Sequence, residues 1–366
     1  MKRTTPPFRA DMVGSLLRPQ AVKDARAKHE AGEIADEALR EVEDREIEKV
    51  VKKEEEVGLQ AVTDGEFRRS WWHFDFLKQL DGVELVTGKE TIKFHGVETK
   101  PESLEIKGKI GFSGHPMLDD FRFLKAHTRR VPKMTIPSPS VLHFRLGRNA
   151  IAPVYPDLEE FFADAGAAYN RAVRAFYDAG CRYLQMDDVV WAYLCSEEQR
   201  EGARSRGDDP DRLPEIYVRT INQALQGRPD DLTVTMHVCR GNFRSTWISE
   251  GGYEPVAEVM LGDLDIDGYF LEYDTDRAGG FEPLRFLPEG KKQVVLGLIT
   301  SKTGTLENKD DVKRRIDEAT KYVDLQRLCL SPQCGFASTE EGNVLTEQAQ
   351  WAKLSEIVEI ADEVWG

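Results

Sequence analysis

Cysteine is scarce in this chain: the 366 residues include five, odd in number and scattered. This usage excludes the disulfide framework of a small secreted protein and is typical of a reducing compartment. The sequence also lacks any apolar run near the roughly 18 residues that a membrane-spanning helix requires. Residues 1–9 are basic but contain no apolar segment of the kind found in signal peptides. We therefore expect a cytoplasmic protein without a membrane segment.

Positive charge is in deficit, with 50 Lys and Arg against 65 Asp and Glu and a formal net charge of −15. A surface this acidic argues against nucleic acid or an anionic membrane as the main partner. The length would suffice for two average domains. A barrel of alternating strands and helices of this size, however, also forms one unit.

The sequence has a regular alternation of short β-branched runs with longer amphipathic stretches. The predicted strands are Ala10–Leu17, Ala61–Phe67, Pro132–Ser138, Arg182–Asp187, Leu232–Cys239, Gly268–Asp274, Gln293–Thr300 and Arg327–Cys334. Eight such units predict an α/β fold, a (β/α)8 TIM barrel, as a single domain over residues 1–366. One region departs from the alternation: Gly82–Phe112 is β-rich, which predicts a β-hairpin insertion (82–112) after the second strand.

Helix signals lie between these runs. Asp157–Ala179 repeats apolar residues at a spacing of three and four and is followed by Gly180, which suits a helix C-terminus. Asn308 is placed to cap a helix that runs to about Val323, and a charged helix over Glu37–Val57 should end before a glycine. A last helix is predicted from about Thr346 to Val364.

Metal-type ligands collect at the predicted carboxyl ends of the strands, where barrels of this kind carry their active sites. His237 and Cys239 are two residues apart on one strand, so their side chains should point to the same side. Cys334 follows the eighth strand, and Glu272 is a carboxylate within an apolar strand, a costly arrangement unless it is paired or bound to metal. Alone, each residue has a structural interpretation, because a free cysteine is commonly just a buried small side chain. One His, two Cys and one Glu together form a tetrahedral set that favours Zn²⁺ over magnesium or calcium.

The chemistry of that set suits thiol activation better than hydrolysis. Three anionic ligands leave the zinc site with a charge of about −1, which weakens it as a Lewis acid for water, whereas metal coordination deprotonates a bound thiol.

Acidic residues on the same rim suit an amino-acid substrate. Asp64 and Glu66 alternate on the second predicted strand and should share a face, and Asp187 ends the fourth. Glu66 and Asp187 could hold an ammonium group, while Ser15 and nearby backbone N–H groups take a carboxylate. The alternative is that these carboxylates only pair with arginines, of which the nearest in sequence are Arg18, Arg68 and Arg69.

Six short segments carry these residues. In chain order they are Val13-Gly14-Ser15, Asp64-Gly65-Glu66-Phe67, Gln185-Met186-Asp187-Asp188, His237-Val238-Cys239, Glu272 and Cys334-Gly335. This order resembles cobalamin-independent methionine synthase, and more closely its short, single-barrel homologues, from about residue 8 to the C-terminus. The resemblance implies a zinc-dependent methyltransferase in which the zinc-activated thiolate of homocysteine attacks a methyl group in line to give methionine.

The resemblance also implies roles for individual residues. The zinc ligands would be His237, Cys239, Glu272 and Cys334, and the residues holding the amino-acid end of homocysteine would be Ser15, Glu66 and Asp187. Full-length members of the family carry an additional N-terminal barrel, and we expect only the catalytic barrel here. A homo-oligomer is compatible with the sequence.

The sequence differs from the family at the positions that bind or act on the methyl donor. The family places a tryptophan after strand three to stack on the folate pterin, whereas this chain reads Ile136-Pro137-Ser138-Pro139-Ser140. Lys302 aligns with a family histidine that serves acid chemistry at the donor; with Asp187 it is a candidate catalytic residue, although a lysine of ordinary pKa near 10.4 is a poor general acid. We therefore expect zinc binding and thiol activation to carry over from the family, whereas the family's donor, 5-methyltetrahydrofolate, does not carry over in the same way. The donor is expected to be 5-methyltetrahydrofolate or another methyl donor such as a methylcorrinoid, with another small electrophile as the alternative. Trp71-Trp72-His73 and Arg240 are candidates for lining the donor pocket, and a subunit interface is an equal alternative for the tryptophans.

Two other functions compete with methyl transfer. The same zinc set could activate a thiol that opens an epoxide, as in relatives acting on coenzyme M, and this would require a basic sulfonate pocket. A structural zinc-binding protein is the non-enzymatic alternative, although structural zinc more often uses closely spaced ligand pairs.

Overall fold

The computed structural model describes residues 3–88, 92–99 and 101–366. Within these ranges the strands are β1 Ala61–Val62, β2 Asp81–Thr87, β3 Lys93–Phe94, β4 Val97–Glu98, β5 Glu102–Gly111, β6 Val131–Pro137, β7 Tyr183–Asp188, β8 Thr233–Val238, β9 Gly268–Glu272, β10 Gln293–Ile299 and β11 Leu328–Pro332. The α-helices are α1 Gln20–Glu30, α2 Asp36–Val57, α3 Phe74–Leu77, α4 Met117–Ala126, α5 Pro139–Leu146, α6 Arg148–Ile151, α7 Leu158–Asp178, α8 Val190–Tyr193, α9 Glu197–Ser205, α10 Leu213–Leu225, α11 Glu254–Asp263, α12 Lys309–Ala319 and α13 Glu347–Trp365. None of these helices combines the length and apolar character needed to cross a membrane.

Seven parallel strands form one curled sheet in the order β1-β6-β7-β8-β9-β10-β11, so that each strand pairs with the next along the chain. The amino-terminal segment bridges the two edges of this sheet. On one side Ala10 forms a parallel bridge with Leu330, and on the other the Leu16 N–H donates to the Gly65 carbonyl at 3.0 Å. The predicted TIM-barrel-like α/β fold is thereby confirmed.

The first predicted strand, Ala10–Leu17, is reduced to that single bridge. Asp11 is the physical reason, because its carboxylate accepts the backbone N–H groups of Phe8 and Met12 at 3.0 and 2.8 Å. These local bonds occupy backbone donors that a regular ladder would otherwise use.

The helix ends follow the local signals in the sequence. Asp157 accepts the Glu159 N–H at the start of α7, and Gly180 has a φ of 100° just beyond its end. Asn308 accepts two backbone N–H groups at the start of α12, which ends four residues before the predicted Val323. Gly58, with a φ of 105°, ends α2 in the left-handed conformation that glycine adopts without strain.

The predicted insertion at 82–112 contains an antiparallel hairpin of β2 and β5, in which Val83 opposes Ile106 and Leu85 opposes Leu104. A smaller hairpin of β3 and β4 lies between them, and residues 89–91 and 100 of the insertion are outside the described ranges. The His95 N–H donates to the Trp247 carbonyl at 3.1 Å, in the loop after β8. The insertion therefore lies over the carboxyl-terminal face of the barrel.

The contribution of the Asn308 cap to the stability of the protein can be measured by mutation. We expect Asn308→Ala to lower the free energy of unfolding by about 1 kcal/mol, because two backbone N–H groups lose their acceptor. Asn308→Asp retains the acceptor and should unfold at nearly the wild-type urea midpoint. Equal midpoints for Asn308→Ala and wild type would show that this cap contributes nothing.

Candidate metal centre

Four side chains that could bind a metal meet at the carboxyl ends of three strands. We call His237, Cys239, Glu272 and Cys334 the metal group, since one ligand atom from each lies within 4.8 Å of those of the other three. All four side chains are buried. They come from the end of β8, the end of β9 and the turn after β11, so the barrel itself gathers them.

The strand geometry explains why His237 and Cys239 converge. The Cys239 N–H donates to the Asp188 carbonyl at 2.7 Å, which continues the β8 pairing beyond its last residue. Both side chains therefore keep the same side of the strand. The Cys239 Sγ lies 3.4 Å from the Cys334 Sγ, which closes the group across the barrel mouth.

His237 indicates that the group fits a metal. Its side chain is buried, and within the described ranges its ring nitrogens have no hydrogen-bond partner apart from the neighbouring Cys334 thiol. Such orphaned polar atoms are rare in folded proteins, and a metal ion would provide a partner for one of them. Two thiols, an imidazole and a carboxylate are a donor set typical of zinc and other thiophilic metals rather than of magnesium or calcium.

Glu272 is held in place from two directions. Its Oε1 accepts the backbone N–H of Arg240 at 2.9 Å, and its Oε2 lies 3.5 Å from Arg277 Nη2. Burial raises the pKa of this carboxyl, while the charges of Lys302 and Arg277 act in the opposite direction. Local cations thus oppose the cost of burying this carboxylate.

Lys302 lies beside the metal group. Its side chain is buried, and Nζ has no hydrogen-bond partner among the residues the structure describes. The Cys239 thiol, together with His237 and Lys302, lowers the pKa of Cys334. The surroundings therefore favour a thiolate at Cys334.

A narrow cavity opens next to the metal group. Its lining residues are Val13, Ser15, Glu66, Trp72, Asp187, His237, Cys239, Cys334 and Ser338. We call it the acidic cavity because Glu66 and Asp187 are its two carboxylates. Three of the predicted substrate-binding residues thus share one space with three members of the metal group.

Glu66 enters this cavity from a turn, not from a strand. The predicted strand Ala61–Phe67 ends at Val62, and Gly65 and Glu66 both have left-handed φ angles, 64° and 59°. A positive φ is unusual for glutamate and often marks a functional position. Its Oε1 accepts the Thr135 hydroxyl at 2.8 Å, whereas Oε2 is buried with no partner in the described part of the chain.

Asp64 does not line the cavity. Its Oδ1 accepts the Glu66 N–H at 2.8 Å, which stabilises the turn. The expectation that Asp64 and Glu66 share a strand face is therefore wrong, because these residues form no strand.

Asp187 is the carboxylate on the metal side of the cavity. It pairs in register with His237 on the neighbouring strand, and its Oδ1 accepts from Gln185 Nε2 at 2.7 Å. Burial, above all, raises the pKa of Asp187 to about 7. The adjacent Asp188 accepts the hydroxyls of Ser138 and Ser140 instead, which leaves Asp187 as the one facing the cavity.

The nearby arginines do not neutralise both cavity carboxylates. Arg69 lies 3.6 Å from the Glu66 carboxylate, but Arg18 donates to backbone carbonyls, including those of Leu16 and Gly65. Arg68 pairs with acids outside the cavity, among them Asp44, Glu43 and Asp120. The acids are therefore arginine partners only in part: Arg69 lies next to Glu66, and its charge also acts on Asp187, with which no arginine forms an ion pair among the described residues.

Ser338 is a cavity residue that sequence reasoning missed. Its hydroxyl accepts from Asn242 Nδ2 at 3.2 Å and lies 3.9 Å from the Cys334 Sγ. It follows Cys334 by four residues in the loop after β11, and that position on the rim is the signal that could have identified it. In the same loop, a Cβ on Gly335 would lie 1.9 Å from the Ser15 Oγ, so the close approach of Ser15 requires glycine.

Comparisons with known proteins indicate the family to which the chain is similar. The family model of the cobalamin-independent synthase catalytic domain matches residues 8–363. YxjH of Bacillus subtilis (strain 168), described as uncharacterized, is 56% identical over 100% of this chain and 96% of its own. The crystal structure of a Listeria monocytogenes protein, provisionally assigned as a vitamin-B12-independent methionine synthase, is 46% identical, with a TM-score of 0.81 and 100% of both chains covered. A methionine synthase of Sulfurisphaera tokodaii is 22% identical over 89% of this chain and 85% of its own.

Removing one thiol tests the metal group. We expect purified wild-type protein to retain about one equivalent of metal and Cys334→Ser to lose most of it, because a four-ligand site loses one thiolate. The matched control is Cys329→Ser, which removes a buried thiol from β11 outside the metal group. Metal content by plasma mass spectrometry is the readout, and equal metal in the two variants would contradict the assignment.

Proposed function

The chain belongs to the cobalamin-independent synthase catalytic-domain family, and on that premise we propose that it is a zinc-dependent methyltransferase that converts homocysteine to methionine. One observation carries the proposal: the buried carboxylates of Glu66 and Asp187 share a cavity with the thiol-rich metal group. A cavity of this kind matches a substrate that carries both a thiol and an ammonium group. The methionine synthase among the relatives supports the same reaction at the level of the family.

The metal group would hold the zinc ion. Bound zinc would keep an incoming thiol deprotonated at neutral pH, where a free thiol with a pKa near 8.5 is mostly protonated. Lys302 would contribute electrostatically, since its buried ammonium offsets the negative charge of Glu272 and Cys334. We assign it this role in place of proton donation.

The acidic cavity would hold the amino-acid end of the substrate. Glu66 Oε2 is buried without a partner, and Asp187 is balanced only in part by Gln185, so an ammonium group would satisfy both carboxylates. The hydroxyls of Ser15 and Ser338 line the same space and can donate to the substrate carboxylate. Asp187 would thus fix the substrate beside His237, and we count it as catalytic for that reason.

The sign of the cavity charge also separates homocysteine from other thiols. A thiol that carries a sulfonate, as in the epoxide-opening alternative, would place its anion against Glu66 and Asp187. Like charges in a buried site are unfavourable, so the acidic cavity supports the amino acid.

The two carboxylates can be tested by comparing homocysteine with 4-mercaptobutyrate, which lacks only the α-amino group. We expect Glu66→Gln and Asp187→Asn each to weaken homocysteine binding by about tenfold or more, because each removes a charge-assisted hydrogen bond. Binding of 4-mercaptobutyrate should be weak in the wild type and nearly unchanged in both variants. Isothermal titration calorimetry of the zinc-loaded protein is the measurement.

Asp64→Asn is the matched control, since it retains the acceptor for the Glu66 N–H but lies outside the cavity. It should leave homocysteine affinity close to that of wild type. Equal affinity of the wild type for the two thiols would contradict the proposal.

A further inference from the structure

The face of the barrel opposite the metal group carries a cavity of about 610 Å³, which we call the basic cavity. It is lined by Gln60, the residue before β1, and by Val131, the first residue of β6. The cavity therefore lies at the amino-terminal ends of the strands, whereas the metal group lies at their carboxyl ends. It shares no residue with the acidic cavity, so the proposed homocysteine site does not account for it.

Positive charge is concentrated around the basic cavity. Its charged lining residues are four arginines and one acid, namely Arg3, Arg9, Arg129, Arg130 and Asp362. The chain as a whole has the opposite balance, with 50 Lys and Arg against 65 Asp and Glu. Guanidinium groups gathered around one concave site create a positive potential that attracts anions. The charge of this cavity is thus a local feature that does not follow from the composition.

Arg3 and Arg9, from the basic segment of residues 1–9, are held by backbone carbonyls. The Arg3 Nε donates to the Pro7 carbonyl at 2.8 Å, and the Nη1 of the buried Arg9 donates to the Leu328 carbonyl at 2.6 Å. Burial, above all, lowers the pKa of Arg9, and the positive charge of Arg3 acts in the same direction. The two like charges therefore repel each other, and an anion near them would offset that repulsion.

Arg129 and Arg130 lie between α4 and β6, and both side chains are exposed. Arg130 Nη1 donates to Gln60 Oε1, a neutral acceptor, at 3.2 Å. Glu55 accepts the Thr128 hydroxyl and the Arg129 backbone N–H, at 2.6 and 3.0 Å, and its charge attracts both guanidinium groups at longer range. Among the residues that the structure describes, neither guanidinium group forms an ion pair, so both are able to turn toward a ligand.

The nearby helix ends offer another explanation for these arginines. Helices α2 and α13 end near the cavity, and the carbonyl groups at a helix C-terminus attract cations. The Glu54 and Glu55 carbonyls of α2, however, accept the N–H groups of the residues that follow the helix. In the described part of the chain, Arg3, Arg129 and Arg130 donate to no carbonyl of either helix. Compensation of the helix ends therefore does not account for these three arginines.

The lining of the basic cavity also includes apolar side chains. These are Phe8, Ala10, Val131, Val358 and Ala361, against which a ligand could bury an apolar portion. Planar guanidinium groups bind phosphate and carboxylate groups through two parallel hydrogen bonds. A volume of about 610 Å³ lies within the range of small-ligand pockets. The cavity thus combines the size, the charge and the apolar surface of a site for an amphiphilic anion.

We propose that the basic cavity binds a small-molecule anion that combines at least two negative charges with an apolar portion. Arg129 and Arg130 bind the anionic end, and the charges of Arg3 and Arg9 add to the attraction. The apolar portion lies against Phe8 and its neighbours in the lining. Phosphate and carboxylate groups share this chemistry. Because the site lies on the opposite face from the metal group, it can be tested independently of the proposed reaction.

Three anions, pyrophosphate, citrate and ATP, test the proposal in isothermal titration calorimetry of the full chain. ATP carries a ring system next to its phosphates, so we expect it to bind at a single site and more tightly than pyrophosphate. The double variant Arg129→Met, Arg130→Met should weaken ATP binding by about tenfold or more, because charge-assisted hydrogen-bond donors are lost. Tighter binding of pyrophosphate than of citrate would assign phosphate as the anionic group, and the reverse order would assign carboxylates.

The matched control is the double variant Arg122→Met, Arg204→Met, which removes the same total charge from exposed positions outside the cavity. It should bind ATP as the wild type does. Zinc content and homocysteine affinity should remain those of wild type in both double variants, since the substituted residues lie outside the acidic cavity and the metal group.

The proposal is overturned if none of the three anions binds, if ATP binds no more tightly than pyrophosphate, or if both double variants bind ATP equally well. It is also overturned if sedimentation velocity shows a wild-type dimer that the Arg129→Met, Arg130→Met variant no longer forms, because these arginines would then contact a second copy of the chain. Each of these results leaves the proposed function standing. Failure to discriminate homocysteine from 4-mercaptobutyrate would remove the proposed function and leave the basic cavity unaffected.

Discussion

The rest of this structure depends on one constraint, the burial of four ionisable side chains around one point. Two of these side chains, Cys239 and Cys334, are thiols, and the other two are His237 and Glu272. Ionisable groups held within 4.8 Å of one another and away from water are stable only if nearby cations, hydrogen bonds or a metal compensate them. The chain supplies the Arg240 N–H and the Arg277 guanidinium to Glu272, and the ammonium of Lys302 to the group as a whole. These compensations stabilise the buried anionic ligands and explain why so many charged residues are buried at one end of the barrel.

The barrel and its loops hold this arrangement rigidly. Ser301, which precedes Lys302, donates through its backbone N–H and hydroxyl to Gln333 next to Cys334, and this ties the ends of β10 and β11 together. Buried Lys353 fixes Glu307, which in turn accepts the Thr300 N–H. On this frame the two carboxylates of the acidic cavity lie next to the metal group.

Much of the fold could be predicted because its signals are local. The alternation of β-branched runs with amphipathic stretches predicted seven of the eight strands at their observed places. Asp157 and Asn308 predicted the starts of two helices, because each side chain caps the first turn. The convergence of His237 with Cys239 follows from the two-residue strand period. The left-handed turn at Asp64-Gly65-Glu66 could not be predicted, because a positive φ at glutamate is imposed by tertiary contacts. The cavity lined by Leu104 of the insertion together with Phe144 and Tyr193 could not be predicted either, since it unites an insertion with helices distant in sequence.

The central claim is that the metal group binds zinc in order to activate the thiol of homocysteine. Zinc-edge X-ray absorption of the purified protein, recorded with and without homocysteine, tests it most directly. The account predicts that homocysteine adds one sulfur neighbour to the zinc, since a free thiol coordinates as a thiolate. A zinc shell that is unchanged by saturating homocysteine would contradict the account and leave the metal a structural role.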